Sequence, residues 1–274
     1  MIKGLSKAGI GQVRDEEFIR LAAEYGFGAV DIEAESLIAC VGLEGAIELL
    51  GQHKMLIGSI GLNVEWRRTE DEFLEGLKGL AQSAAAAAAL GCRSCCTYIL
   101  PATDQSPALF MAQAVRRLRI IAEVLGAYDV KLGLEFVGPH HLRTAWKNPF
   151  IWTVNDTLAL IDAIGLPNVG LLVDSYHCYT TGFTADDLRK QLRSEQIVHV
   201  HINDAYDLPV GQLLDNDRLY PGEGVIDLQG FVKSLGDIGY RGVVSQEVIT
   251  PLDATESPDQ LLQRSKIGFD KVFS

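Results

Sequence analysis

Short apolar runs alternate with longer amphipathic segments along the chain. The run at 168–174 is apolar at almost every position, as is typical of a strand covered on both faces. The segment at 15–25 has apolar residues spaced so that they form one buried helix face. This pattern predicts strands at 2–10, 29–33, 55–63, 93–99, 130–137, 168–174, 196–202 and 242–248. It predicts helices at 15–25, 43–53, 69–91, 106–127, 155–164, 184–192, 227–238 and 257–272.

Eight strand–helix alternations in 274 residues predict an α/β fold, a (β/α)8 TIM barrel, whose typical length is ~250 residues. No linker and no repeat of fixed period interrupts the alternation, so residues 1–274 are expected to form a single domain. Two helix starts carry local signals. Thr69 followed by Glu72 predicts a capping box, and Asn155 is predicted to be an N-cap.

Ionisable residues stand inside otherwise apolar strands, near the carboxyl ends of the last four. They are Glu135, Asp174, His201 and Glu247. The carboxyl ends of barrel strands meet at one mouth, so we expect these side chains to lie together there. A buried charge is costly unless it is paired or bound to a cation. Three carboxylates and one imidazole suit a divalent cation such as Mn²⁺, Zn²⁺, Co²⁺ or Mg²⁺.

Two alternatives to a metal site stay open at this point. The four groups could instead form a ring of salt bridges, for which Arg218 and Lys147 are the main basic candidates. In the stretch 197–204, His199, His201 and Asn203 share one face of a strand. Both histidines could therefore be core residues whose ring nitrogens are hydrogen-bonded to neighbouring strands.

Two connections, 138–153 and 205–226, are longer than the usual two to six residues of a βα loop. Both follow strands, so both belong to the mouth where barrel active sites lie. They are expected to be lids or substrate contacts, with a simple structural insertion as the alternative.

Composition and charge restrict the partners and the compartment. The formal net charge is −12, and a duplex-binding protein usually carries a basic stripe, so no nucleic acid partner is expected. The chain shows neither a signal-peptide pattern nor an apolar run near the ~18 residues of a membrane helix, so no membrane partner is expected. Five cysteines, an odd number, fit a reducing cytoplasm. Without a second metal-binding pair at zinc-ribbon spacing, buried thiols are expected at Cys92, Cys95 and Cys96.

Several segments of the sequence resemble the corresponding segments of a known family. They are 134–138, 168–177, 201–204, 217–228 and 243–247, with 31–33 and Asn63 in the first half. The chain resembles the sugar isomerase and epimerase branch of the xylose isomerase-like TIM barrels. Within that branch it is most similar to the 2-keto-myo-inositol isomerase type of inositol catabolism.

The resemblance implies one divalent metal ion, with Mn²⁺ or Zn²⁺ first and Co²⁺ or Mg²⁺ as alternatives. It implies that the metal ligands are Glu135, Asp174, His201 and Glu247. It also implies that His177 and Arg218 face the substrate. His199 stands where relatives carry an apolar or aromatic residue, so it is expected one layer deeper in the barrel and not as a ligand.

Glu33 and Asn63 are further candidates for substrate binding, with structural hydrogen bonding at strand ends as the alternative. The expected chemistry is proton abstraction next to a ketone, in which Glu135 and Glu247 exchange the proton and a metal-stabilised enediolate forms. The expected substrate is a small polyol, ketose or keto-inositol, and the chain is compatible with a homo-oligomer. Dehydration of a keto-inositol and a non-catalytic sugar-binding barrel are the alternatives. A nuclease of the endonuclease IV type would need a basic face.

Overall fold

The computed structural model describes residues 1–249 and 255–274. Within these ranges the strands are β1 (Ile2–Ser6), β2 (Ala29–Asp31), β3 (Leu56–Ile57), β4 (Ile60–Gly61), β5 (Ser94–Ile99), β6 (Ala102–Thr103), β7 (Lys131–Phe136), β8 (Asn148–Pro149), β9 (Val169–Asp174), β10 (Ile197–Ile202) and β11 (Val243–Gln246). The α-helices are α1 (Asp15–Glu24), α2 (Ala34–His53), α3 (Glu70–Ala89), α4 (Pro107–Gly126), α5 (His140–Arg143), α6 (Val154–Ile164), α7 (Ser175–Thr181), α8 (Ala185–Gln191), α9 (Leu228–Asp237) and α10 (Pro258–Val272).

A parallel sheet forms the centre of the fold, with the strand order β3-β2-β1-β11-β10-β9-β7-β5-β4. The two ends of this order, β3 and β4, are successive pieces of one segment at 56–61, so the sheet closes on itself. Each α-helix of ten residues or more follows a strand in the chain, and all of these helices except the last, α10, lead to a further strand of the sheet, as the alternation predicts. The predicted (β/α)8 barrel is therefore confirmed.

Burial follows the pattern read from the sequence. Strand β9 is buried along its full length, as a strand covered by helices outside and side chains inside must be. Helix α1 buries the face formed by Phe18, Ile19, Leu21 and Ala22. Cys92 and Cys95 are buried thiols, and burial raises the pKa of Cys92 to about 12. In the described ranges, no helix combines the length and the apolar character that crossing a bilayer requires.

Several predicted boundaries were wrong, each for a local reason. Strand β1 ends at Ser6, because the Ser6 side chain accepts a hydrogen bond from the Ala8 amide and begins a 3₁₀ turn. The predicted strand at 55–63 breaks at residues 58–59 into β3 and β4. Helix α2 begins at residue 34, nine residues earlier than predicted, and Gly42 interrupts its helical geometry with φ = 76°.

Helix α6 begins one residue early, and its cap was assigned wrongly. Thr153, in extended conformation, accepts a hydrogen bond from the Asp156 amide at 3.1 Å. Asn155 lies inside the first turn and is exposed, so it is not the N-cap. The capping box of Thr69 and Glu72 at the start of α3 is confirmed.

The short helix α7 was not predicted, and it follows β9 directly. Its first turn is capped by the Asp174 side chain, which accepts hydrogen bonds from the amides of Tyr176 and His177. Outside the barrel, β6 and β8 pair antiparallel and connect the long segment at 138–153 to the segment after β5. Helix α5 within that segment packs against the 3₁₀ turn Val210–Gln212, so the two long connections contact each other.

Candidate metal centre

Four ionisable side chains converge at the carboxyl ends of neighbouring strands. Glu135 lies near the end of β7, Asp174 ends β9, His201 lies on β10 and Glu247 follows β11. Their ligand atoms lie within 4.8 Å of one another. The parallel register explains this, since His201 pairs with Asp174 and the neighbouring Ile202 pairs with Gln246. The structure thus brings together the set that the sequence predicted at one mouth of the barrel.

The chemistry of this cluster fits a divalent cation. Oε1 of Glu135 and both ring nitrogens of His201 are buried and have no hydrogen-bond partner. Buried polar atoms without partners are rare because desolvation is costly. Three carboxylates and an imidazole are ligands suited to Zn²⁺ or Mn²⁺. Buried ligand atoms that converge at one point and have no hydrogen-bond partner are what a metal-binding site requires.

Arg218 forms some of the salt bridges that were considered as the alternative to a metal site. Its Nη1 donates to Asp174 Oδ2 at 3.2 Å and to Glu247 Oε2 at 3.1 Å, and its Nη2 donates to Asp215 Oδ1 at 2.9 Å. The other basic candidate, Lys147, is exposed. Arg218 pairs with only two members of the cluster, Asp174 and Glu247. His201 lies 3.4–3.9 Å from the carboxylates of Asp31, Glu135 and Glu247, but Oε1 of Glu135 still has no hydrogen-bond partner.

His177 lies beside the cluster with its ring orientation set by the backbone. The Gly138 amide donates to Nδ1 of His177 at 3.3 Å, and Nη2 of Arg218 lies 3.4 Å from Nε2. That nitrogen faces Glu135 Oε1 and Asp215 Oδ1, each at 3.8 Å. Burial lowers the pKa of His177, which favours the neutral ring. His177 is thus buried between the Gly138 backbone, the Arg218 guanidinium and the carboxylates of the cluster.

The two glutamates of the cluster have opposite electrostatic environments. Burial raises the pKa of Glu135 well above its usual range, and the carboxylates of Glu247 and Asp174 raise it further. Burial also opposes ionisation of Glu247, but the charges of His201 and Arg218 outweigh it and hold the pKa of Glu247 below its usual range. Carboxyl pairs whose pKa values are pushed apart are typical of acid–base sites.

A cavity of about 460 Å³ opens at this mouth, which is within the usual size range of small-molecule sites. Glu135, His201 and Glu247 line one part of it. Further polar residues that line it include Lys7, Asp15, Asp31, Glu33 and Ser36.

The two weaker candidates for substrate binding are placed differently. Glu33 lines the cavity, where its Oε1 accepts a hydrogen bond from the Gly61 amide at 2.9 Å. Burial raises the pKa of Glu33 although hydrogen bonds from Gly61 and Asn63 act in the other direction. Asn63 is exposed, is not among the residues that line the cavity, and contacts Glu33 instead. The contacts of Asn63 therefore favour a role in structural hydrogen bonding over a role in substrate binding.

Three residues around the cluster had no role in the sequence prediction. Asn203 Nδ2 donates to Asp174 Oδ2 at 2.9 Å and to the Glu247 carbonyl at 3.1 Å, and so holds two members of the cluster. Asp215 holds the guanidinium of Arg218. Asp31, at the end of β2, accepts a hydrogen bond from His199. The rule that strand ends share one edge could have found Asp31.

Asp204 organises the connection that carries Arg218. Its carboxylate accepts hydrogen bonds of 2.9–3.0 Å from four backbone amides, those of Ala205, Gly222, Gly224 and Ile226. The main chains of Asp204 and Leu219 also pair. These contacts position the segment 217–226 against β10. Asp204 stands in the same segment, 197–204, as His201 and Asn203. Its four amide partners, however, can be identified only from the folded connection.

Comparisons with known proteins agree with this architecture. A family model described as xylose isomerase-like TIM barrel matches residues 19–265. An inosose isomerase of Bacillus velezensis is 38% identical over 163 residues, which are 60% of this chain and 54% of that protein. An inosose isomerase of Bacillus subtilis is 34% identical over 53% of this chain and 50% of its own length. The chain thus spans about half the length of the curated relatives it matches.

Among solved structures, a xylose isomerase domain protein of Alicyclobacillus acidocaldarius superposes with a TM-score of 0.90 at 35% identity. That superposition covers 99% of this chain and 98% of the other. An IolI protein, whose structure holds a zinc atom, superposes with a TM-score of 0.84 over 99% of this chain and 98% of its own. At 23% identity, this second likeness shows the shared fold alone.

Proposed function

Since the chain belongs to the xylose isomerase-like TIM barrel family, we propose that it is a divalent-metal-dependent isomerase or epimerase of a ketose or keto-inositol. The reaction moves a proton on the carbon next to the carbonyl, through an enediolate. The observation that carries this proposal is the convergence of two glutamates with Asp174 and His201 at the mouth of the barrel, where a cavity opens. The inosose isomerases among the relatives make a keto-inositol the first substrate to test.

Glu135, Asp174, His201 and Glu247 would hold the metal ion, because their donor atoms converge and several of them have no other partner. A bound divalent cation supplies Lewis-acid stabilisation of negative charge on the substrate oxygens. Mn²⁺ and Zn²⁺ suit this mixed donor set best, with Co²⁺ and Mg²⁺ as alternatives.

Glu135 and Glu247 are the proposed proton carriers. They approach the cluster from β7 and from the end of β11, on either side of β9 and β10 in the sheet. A substrate bound between them presents one face of its reacting carbon to each carboxylate. One glutamate takes the proton and a proton is then returned to the enediolate. Return by the other glutamate to the opposite face of the same carbon gives the epimer, and return to the former carbonyl carbon gives the isomer.

His177 and Arg218 are the proposed substrate-binding groups beside the proton carriers. Nε2 of His177 lies 3.8 Å from Glu135 Oε1, so this side chain would contact a hydroxyl or the developing oxyanion of a substrate bound at the cluster. The guanidinium of Arg218 contributes positive charge at the same place. Glu33, which also lines the cavity, would bind further hydroxyl groups of a polyol.

The test is proton exchange in deuterated water. Metal-loaded protein is incubated with inosose or with D-psicose, and the α-proton is followed by NMR while the product mass is measured. We expect loss of the α-proton signal and a product of unchanged mass apart from deuterium. Elemental analysis should find one divalent metal ion per chain.

The control variants are Glu135→Gln and Glu247→Gln, which keep the side-chain shape and remove the proton carrier. Each should lower the exchange rate about 10²–10⁴-fold with the fold retained. A product lighter by one water would favour the dehydratase alternative. A metal-loaded protein that binds the sugars without exchange would leave a non-catalytic sugar-binding barrel and contradict the proposal.

The proposal also includes a single catalytic domain over residues 1–274 that works in the cytoplasm. All five cysteines are free thiols, which fits a reducing compartment.

A further inference from the structure

Asp31 lines the same cavity as Glu135, His201 and Glu247, and it faces two histidines of one strand. Nε2 of His199 donates to Asp31 Oδ2 at 2.9 Å. Nε2 of His201 lies 3.4 Å from the same oxygen. The two imidazole rings are perpendicular with their centres 5.1 Å apart. A single carboxylate oxygen thus accepts a hydrogen bond from His199 and lies within ion-pair distance of His201.

The orientation of the His201 ring divides its two nitrogens between two environments. Nδ1 faces the proposed metal ligands, 3.4 Å from Glu247 Oε2 and 3.9 Å from Glu135 Oε1. Nε2 faces Asp31. A neutral imidazole that gives the lone pair of Nδ1 to a metal must carry its hydrogen on Nε2. In the described part of the chain, the carboxylate within ion-pair distance of that nitrogen is Asp31.

His199 holds Asp31 in place. Its side chain is only 1% exposed, and its hydrogen bond is to the oxygen that faces His201. The neighbouring segment also leaves room for the carboxylate, since a Cβ at Gly58 would lie 2.5 Å from Asp31 Oδ1 and 3.3 Å from His199 Cε1. Gly58 stands at the break between β3 and β4, so the break in the barrel wall accommodates this group.

We propose that Asp31 and His199 are positioning residues for the metal ligand His201. Asp31 accepts the Nε2–H of His201 and so directs the Nδ1 lone pair to the metal, while His199 fixes Asp31. A histidine ligand backed by a carboxylate is a better donor, and loss of such a partner typically weakens metal binding about 10–100-fold. Asp31 lines the cavity beside His201, and His199 is not among the residues that line it. The inference rests on the proposed metal centre.

The experiment measures the affinity of the full chain for Zn²⁺ and Co²⁺ by competition with a chromophoric chelator. Asp31→Asn should weaken Zn²⁺ binding about 10–100-fold and change the visible spectrum of the Co²⁺ form. The matched control is Asp15→Asn, which removes a buried carboxylate at the same cavity that pairs with Lys7 and touches no histidine. Its effect on affinity reports the charge contribution alone.

Two variants of His199 separate hydrogen bonding from packing. His199→Gln keeps a side-chain N–H toward Asp31 and should retain most of the affinity. His199→Phe keeps the ring volume without the donor and should weaken binding. Circular dichroism checks that each variant is folded.

Three results would overturn the inference. In the first, Asp31→Asn and Asp15→Asn bind Zn²⁺ with equal affinity and give the same Co²⁺ spectrum. In the second, His199→Gln and His199→Phe bind equally well. In the third, the wild type binds two metal ions and His199→Phe binds one, which would make Asp31 and His199 ligands of a second site. A wild type that binds no metal would instead contradict the proposed metal centre itself.

Discussion

Arg218 bridges Glu247 and Asp174, since its Nη1 donates to Oε2 of one carboxylate and to Oδ2 of the other at 3.1 and 3.2 Å. The same guanidinium is buried and is held by Asp215. Burial disfavours its charge, but the surrounding carboxylates outweigh burial and raise the pKa of Arg218 further. A permanent positive charge therefore lies among the groups proposed to bind metal and move protons.

The first prediction concerns this charge. Arg218→Met should lower turnover about 100-fold or more, because a donor aimed at developing negative charge is lost. It should leave metal affinity unchanged or increase it, since the variant lacks a cation that competes for Asp174 and Glu247. Steady-state kinetics and metal competition measure the two effects. Lys147→Met, at an exposed position, is the control. Weaker metal binding in Arg218→Met would contradict the reasoning.

The second prediction concerns Asp204, whose carboxylate accepts four backbone amides of the Arg218 connection. Asp204→Ala leaves these donors without partners, so the free energy of unfolding should fall by about 3 kcal/mol. The KM should rise because Arg218 is less well positioned. Urea unfolding and kinetics give both values. Asp207→Ala, exposed on the same connection, should change neither, and equal effects from the two variants would refute the assignment.

The third prediction concerns pH and Glu33, whose pKa is raised by burial above its usual 4.5. The folded state then holds this proton more tightly than the unfolded state does, so stability is lost as the pH rises through the folded pKa. The side chain in Glu33→Gln does not ionise, so the variant does not lose this stability as the pH rises. The gain in unfolding free energy of the variant over wild type should be larger at about pH 8 than at about pH 4. Urea unfolding at both values measures it, and a gain that is larger at low pH would reverse the sign and contradict the prediction.

The fourth prediction compares two candidate caps of helix α6. Thr153→Ala should lower the free energy of unfolding by about 1 kcal/mol, because the Asp156 amide loses its acceptor. Asn155→Ala should be close to neutral, since Asn155 is exposed within the first turn. Thermal or urea unfolding of both variants decides. A larger loss for Asn155→Ala would support the cap that the sequence alone suggested.

The order of strands and helices could be predicted from the sequence, and the barrel follows from that order. Strands buried on both faces have continuous apolar runs, and a parallel barrel places every strand end at one mouth. For this reason Glu135, Asp174, His201 and Glu247 could be grouped without knowing any distance. Boundaries were less accurate where a side chain competes locally with the backbone, as at Ser6, because such contacts depend on conformation.

The sequence by itself determined the barrel and the four residues at its mouth, because chain direction and strand periodicity are local properties. Only the tertiary structure decided what surrounds them. Asp31 and His199 are 168 residues apart in the chain, and their hydrogen bond exists because β2 and β10 face each other across the interior. The pairing of Arg218 with Glu247 depends likewise on a loop held by Asp204. Such contacts follow from the closure of the sheet, which no single segment encodes.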